Sequence, residues 1–159
     1  MTPNEAAAAL IAALPTGILP SQLEEYGIES TVERAQAISR ELLFLNLFWI
    51  VAAIEAQIPR KYQTGVTELV LKAVESGWST TYLVGSAAWP AFLAEWKVRT
   101  RRYERLVQDG ASPLAVSGEA GMVLEEQRVV NEEDRRNLLA LLLDSVPVET
   151  YGRLLQEVG

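Results

Sequence analysis

Lys97, Arg99, Arg101, Arg102 and Arg105 place five of the chain's fourteen basic residues within nine positions. With Glu104 the segment from Lys97 to Arg105 carries a local +4 in a chain of net charge -7, which leaves -11 for the remainder. Guanidinium and ammonium groups gathered in this way bind carboxylates and phosphates. Stepping about 100° per residue along a helix puts Lys97, Arg101, Arg102 and Arg105 on one broad face and Trp89, Phe92, Trp96, Tyr103 and Val107 on the other. Arg99 breaks that division, because it falls among Phe92, Tyr103 and Leu106. Glu95, one turn earlier, is spaced for an i,i+4 pair with it, and Trp96 or Tyr103 offers a ring to stack on. Arg99 therefore either snorkels from the edge of an apolar face or is held in a cleft to meet an anion.

Three roles compete for the basic stripe. It is a solvated face balanced by its own neighbours (Arg105 with Asp109, Arg101 with Glu104), a docking surface for an acidic protein or a second copy of this chain, or a contact for nucleic-acid phosphates. Low pI and the absence of a nucleic-acid motif count against the last. A helix-turn-helix over Thr64 to Leu83 fits by spacing alone, and its second helix lacks the polar side chains that read bases. The expected interaction residues are Lys97, Arg99, Arg101, Arg102, Tyr103 and Arg105.

Other chemistry is poorly supplied. The chain has no histidine and no cysteine, which removes His-dependent triads, cysteine nucleophiles and the usual zinc and Glu-x-x-His di-iron sites. No phosphate-cradling glycine loop, nucleophile elbow or dinucleotide fingerprint occurs. Glu125, Glu126, Glu132, Glu133 and Asp134 cluster in sequence, but they match no calcium loop. Arg128, Arg135 and Arg136 among them make a solvated, ion-paired face the expected outcome, in a style that Glu149, Arg153 and Glu157 continue. No cofactor or metal is expected. Trp78, Tyr82, Trp89, Phe92, Trp96 and Tyr103 recur at helical spacing. That pattern builds core, or, closed by Arg99, an aromatic cleft for an anionic small molecule or substrate.

The elements that position these residues read as helices throughout. Thr2-Pro3 caps a first helix that runs to Leu14 and stops at Pro15-Thr16-Gly17. Met1 to Leu14 lacks the basic start of a signal peptide and carries Glu5 there. Ser21 to Glu24 and Ser30 to Glu33 have capping-box spacing, opening a short helix over Gln22 to Tyr26 and a long one to about Gln57. Leu42 to Ile54 is apolar apart from Asn46, a span of roughly 20 Å against the ~30 Å of a bilayer core. It reads as a buried central helix, with Glu41 and Glu55 marking its ends. Ser39, Asn46 and Ala53 share a strip of that helix, and a buried Asn46 must find hydrogen-bond partners on a neighbouring helix, in a pocket or in setting register. Further helices are expected over Thr64 to Ser76, with a stripe of Val66, Leu69, Val70, Ala73 and Val74, and over Thr80 to Asp109, kinked or broken near Pro90. The remainder reads as a linker at 111–118, helices over 119–130 and 132–143 with Asn131 capping the second, and a last one over 147–158.

The whole is expected to be one all-α domain, a compact bundle of about six to seven helices around the central helix at 31–57. It has a candidate hinge at 111–118 and no transmembrane segment. Lack of cysteine fits a reducing, cytoplasmic compartment. The function that follows is a small non-catalytic interaction or regulatory module. A nucleic-acid accessory protein, a ligand-binding or catalytic aromatic cleft, and peripheral membrane binding stand as alternatives.

Overall fold

The computed structural model describes residues 1–78, 80–85 and 88–156. All regular structure among them is helical: α1 (Pro3–Ala13), α2 (Pro20–Glu25), α3 (Val32–Gln57), α4 (Arg60–Ser76), α5 (Trp89–Gln108), α6 (Pro113–Glu126), α7 (Glu132–Asp144) and α8 (Val148–Gln156). The bundle is built around α3, as its apolar run demands, since a helix apolar on every face must be surrounded. α2, α4, α5, α6 and α8 all pack on it, α1 lies on α4 and α8, and α7 lies on α6.

Two hydrophobic clusters flank α3. Leu43, Phe44, Leu47, Ile50 and Ile54 face α1, α4 and α8 through Leu10, Val66, Val70, Val74 and Leu155. Ile38, Leu42, Leu45 and Phe48 face α2, α6 and α7 through Leu23, Val116, Ala120, Leu124, Leu138 and Leu142. One helix thus supplies the core to both halves, which is why it shows no single apolar stripe. α3 is long and apolar enough to cross a membrane, yet 72% of its most apolar window is buried against the other helices.

Helix starts follow local chemistry. Thr2 accepts from the Glu5 amide at 3.1 Å, and Asn131 accepts from the Asp134 amide at 2.8 Å, as their spacing predicts. Thr31, not Ser30, caps α3, accepting from Arg34 N at 3.1 Å. At α2 the reciprocal half of a capping box survives alone: Gln22 Oε1 accepts from Leu19 N at 2.7 Å, and the helix opens at Pro20 instead of Gln22.

Three further boundaries differ from expectation, each at a proline. α4 begins at Arg60, directly after Pro59, so Gly65 is carried inside the helix, and of the predicted stripe only Val66, Val70 and Val74 are fully buried. Pro90 neither kinks nor interrupts a helix; it occupies the first turn of α5, where its missing N–H costs nothing. The described residues from Thr80 to Gly85 are turns and irregular chain, while Ser86 and Ala87 of the expected helix lie outside the described residues. Pro113 likewise starts α6 behind the cap Ser112, whose hydroxyl accepts from Ala115 N at 3.4 Å. The candidate hinge at 111–118 is therefore largely the first half of α6. The helices beyond it pack on α3, α5 and α1 of the same chain.

Candidate functional site

The basic residues of α5 separate into two sets. Arg99 is inside the molecule, 5% exposed. Its Nε donates to Glu41 Oε1 at 2.7 Å and its Nη2 to Glu41 Oε2 at 3.0 Å, a forked contact. Nη2 also donates to Glu95 Oε1 at 2.9 Å, the predicted i,i+4 pair. The Tyr103 hydroxyl donates to Glu41 Oε1 at 2.6 Å, and the guanidinium lies 5.2 Å from the Phe44 ring centroid. Burial pushes the Glu41 carboxyl above the usual carboxylate range, with Arg99 and Tyr103 pulling it back. Burial, reinforced by Glu41, holds the Tyr103 hydroxyl well above an ordinary tyrosine. Arg99 and Tyr103, expected as interaction residues beside the stripe, are thus corrected to members of the core.

Arg102 is also committed. It reaches Glu119 at 2.6 Å and Glu126 at 3.0 Å, clamping α5 to α6. The hydrogen bonds it donates to Glu126 and Glu119 raise its pKa against desolvation, and the pKa of the Glu126 carboxyl is lowered in return.

Lys97, Arg101 and Arg105 remain. All three are exposed, and among the described residues none has a carboxylate within 4.0 Å. The expected Arg105–Asp109 and Arg101–Glu104 pairs do not form. Val98, between them on the same face, is 59% exposed. This is an unpaired cationic strip with an exposed apolar side chain beside it.

The remaining expected sites are structural. Asn46 Nδ2 donates to the carbonyls of Leu42 at 3.0 Å and Ser145 at 3.2 Å, and Oδ1 accepts from the Tyr151 hydroxyl at 2.6 Å. The amide is fully used in joining α3 to α8 and the turn before it. Ser39, on the same strip, accepts from Ile18 N at 2.8 Å. The aromatic residues pack on one another: Phe92 stacks on Phe44 at 4.7 Å between centroids and meets the edge of Trp78 at 4.7 Å. Tyr103 belongs to the opposite core, against Phe48. In the acidic cluster Glu125 pairs with Arg135 at 2.7 Å, Glu132 with Arg136 at 3.4 Å and Asp134 with Arg34 at 3.6 Å. Among the described residues no three carboxylates converge as a metal site. Glu157 lies outside the described residues.

Glu41 is the residue that sequence reasoning undervalued. Its position one residue before an apolar run marks it as the end of the buried span. The sign that it is buried is the matching intruder, Arg99, on the apolar face of another helix. No family model matches the chain, and neither a curated protein nor a solved structure matches it.

Proposed function

We propose that the protein is a non-catalytic helical interaction module that docks an acidic protein surface on the outward face of α5, through Lys97, Arg101 and Arg105 around Val98. The observation that supports this is the division of one helix's cations. Arg99 and Arg102 are bound by carboxylates of the same chain, while Lys97, Arg101 and Arg105 are exposed without a counter-ion among the described residues, in a chain of net charge -7. Three neighbouring unpaired cations repel one another, and an opposing acidic surface relieves that repulsion while steering encounter. Val98, exposed beside the cations, supplies apolar area to exclude water from such an interface.

The test is affinity capture from native lysate, with the tagged chain compared to Lys97→Glu/Arg101→Glu/Arg105→Glu. The expected result is a stoichiometric acidic protein (an untagged copy of this chain included) that the triple variant loses while helicity and Tm stay unchanged. Equal capture by the variant, capture of nothing, or stoichiometric nuclease-sensitive nucleic acid would overturn the proposal.

A further inference from the structure

The exposed side of α5 carries a spacing as well as a charge. Ala91, Ala94, Val98, Arg101, Arg105 and Gln108 are all exposed, and successive members alternate between three and four residues apart. At about 100° per residue they occupy an arc of roughly 100°, the kind of seam by which one helix packs along another. It is about 26 Å long at ~1.5 Å per residue. Phe92, Arg99 and Tyr103, which α5 buries in its own fold, lie on the other side of the helix, so the exposed seam takes no part in the described core. Its character changes along its length. Ala91, Ala94 and Val98 are apolar, whereas Arg101 and Arg105 are unpaired cations. Lys97 and Glu104 border one flank. On the other flank Glu95 is held by Arg99, and Arg102 by Glu119 and Glu126.

We propose that the acidic surface docked by α5 is an amphipathic α-helix of a partner protein, laid antiparallel along this seam. The inference rests on the docking proposal above and names the form of its partner. A row of side chains at alternating three and four spacing interdigitates with the matching row of another helix. An extended acidic segment repeats every two residues and would meet the cations alone. The single methyl groups of Ala91 and Ala94 let the two helix axes approach toward the lower end of the usual ~8–10 Å. Larger apolar side chains of the partner then fill the space over Ala91, Ala94 and Val98, and its carboxylates meet Arg101 and Arg105. Carboxylates are favoured in the first turn of a helix. Set beside Arg101 and Arg105, in the second half of α5, that first turn makes the partner run antiparallel.

Fluorescence anisotropy with a labelled synthetic helix of about 18 residues, the length of the seam, tests this on the full chain. The peptide carries glutamate at the seam positions of its first half and leucine at those of its second, and a scrambled peptide of the same composition lacks the spacing. The patterned peptide is expected to bind with a Kd of about 100 µM or tighter, and the scrambled one at least about tenfold more weakly. Ala91→Lys/Ala94→Lys separates packing from charge, since it crowds the seam while adding two cations; melts and circular dichroism confirm its fold. Binding of the patterned peptide should weaken by about tenfold or more in that variant, whereas a purely electrostatic contact would tighten. Equal binding of the two peptides, or unchanged or tighter binding by Ala91→Lys/Ala94→Lys, would overturn the helical partner. If the scrambled peptide binds as well and Lys97→Glu/Arg101→Glu/Arg105→Glu loses it, the docking proposal survives without the helix. Binding of neither peptide would count against both.

Discussion

Replacing Arg99 by Met should expose how the interior of this bundle is held. Glu41 is 2% exposed and accepts three hydrogen bonds, two from Arg99 and one from Tyr103. Arg99→Met leaves a buried carboxylate with the tyrosine alone, and breaking a buried pair in this way costs about 3–5 kcal/mol. Glu41→Leu strands Arg99 less completely, because the Glu95 side chain still reaches it at 2.9 Å and is 36% exposed. That variant should lose about 3 kcal/mol, at the lower end of the range. In the double variant both charges are gone, and the main residue of damage is the orphaned Tyr103 hydroxyl, about 1–3 kcal/mol. Adding Tyr103→Phe should return stability to within about 1 kcal/mol of wild type, since hydrophobic replacements of buried pairs are often neutral. Urea unfolding at constant m reads each value. Because burial raises the Glu41 carboxyl above its ordinary 4.5, the folded state binds that proton more tightly than the unfolded chain. The stabilising contribution is therefore fully present below the unfolded value and is lost as pH rises through the folded one. Arg99→Met removes a partner that pulls the carboxyl down, so its cost should be greatest at neutral pH and shrink on acidification. An Arg99→Met cost under about 1 kcal/mol, or single costs that simply add in the double variant, would refute the reasoning.

Three other outcomes follow from the same packing. Tyr151→Phe should cost about 1–2 kcal/mol by leaving Asn46 Oδ1 unpaired, and Asn46→Ala more, since it strands the Tyr151 hydroxyl and the Ser145 carbonyl together; chemical unfolding reads both. Buried Tyr82, Tyr103 and Tyr151 all have raised pKa values, chiefly through burial. Their stabilising contribution is fully present below about pH 10 and lost above it as the unfolded chain ionises first, so tyrosinate absorbance from them should rise only together with loss of helical circular dichroism. Gly17→Ala should destabilise by about 1–3 kcal/mol, because its Cβ would overlap the Tyr82 carbonyl where the two loops are tied by Gly17 N to Thr81 O at 2.9 Å; an unchanged Tm would count against that close approach.

The helical class and the central position of α3 were legible because hydrophobic period and run length depend on local sequence. Thr2, Asn131 and the i,i+4 pair of Glu95 with Arg99 were legible for the same reason. Three helix boundaries were not, because Pro59, Pro90 and Pro113 each lie at a helix start that was expected elsewhere. Proline in a first turn and proline in a helix interior look alike in one sequence until the preceding chain is seen to leave the helix. The wheel placed Arg99 correctly among apolar neighbours. It could not show that Glu41, 58 positions earlier, closes on it, since that contact depends on how α3 crosses α5. Arg102 looked free for the same reason: Glu119 and Glu126 reach it only once α6 has folded onto α5.

Site-resolved labelling of arginines with a dicarbonyl reagent tests the division of α5 most directly. In the dilute chain Arg101 and Arg105 should react rapidly while Arg99 and Arg102 stay protected, and in the docked complex Arg101 should become protected as well. Arg99 reacting as fast as Arg101, or Arg101 labelling equally free and bound, would contradict the account.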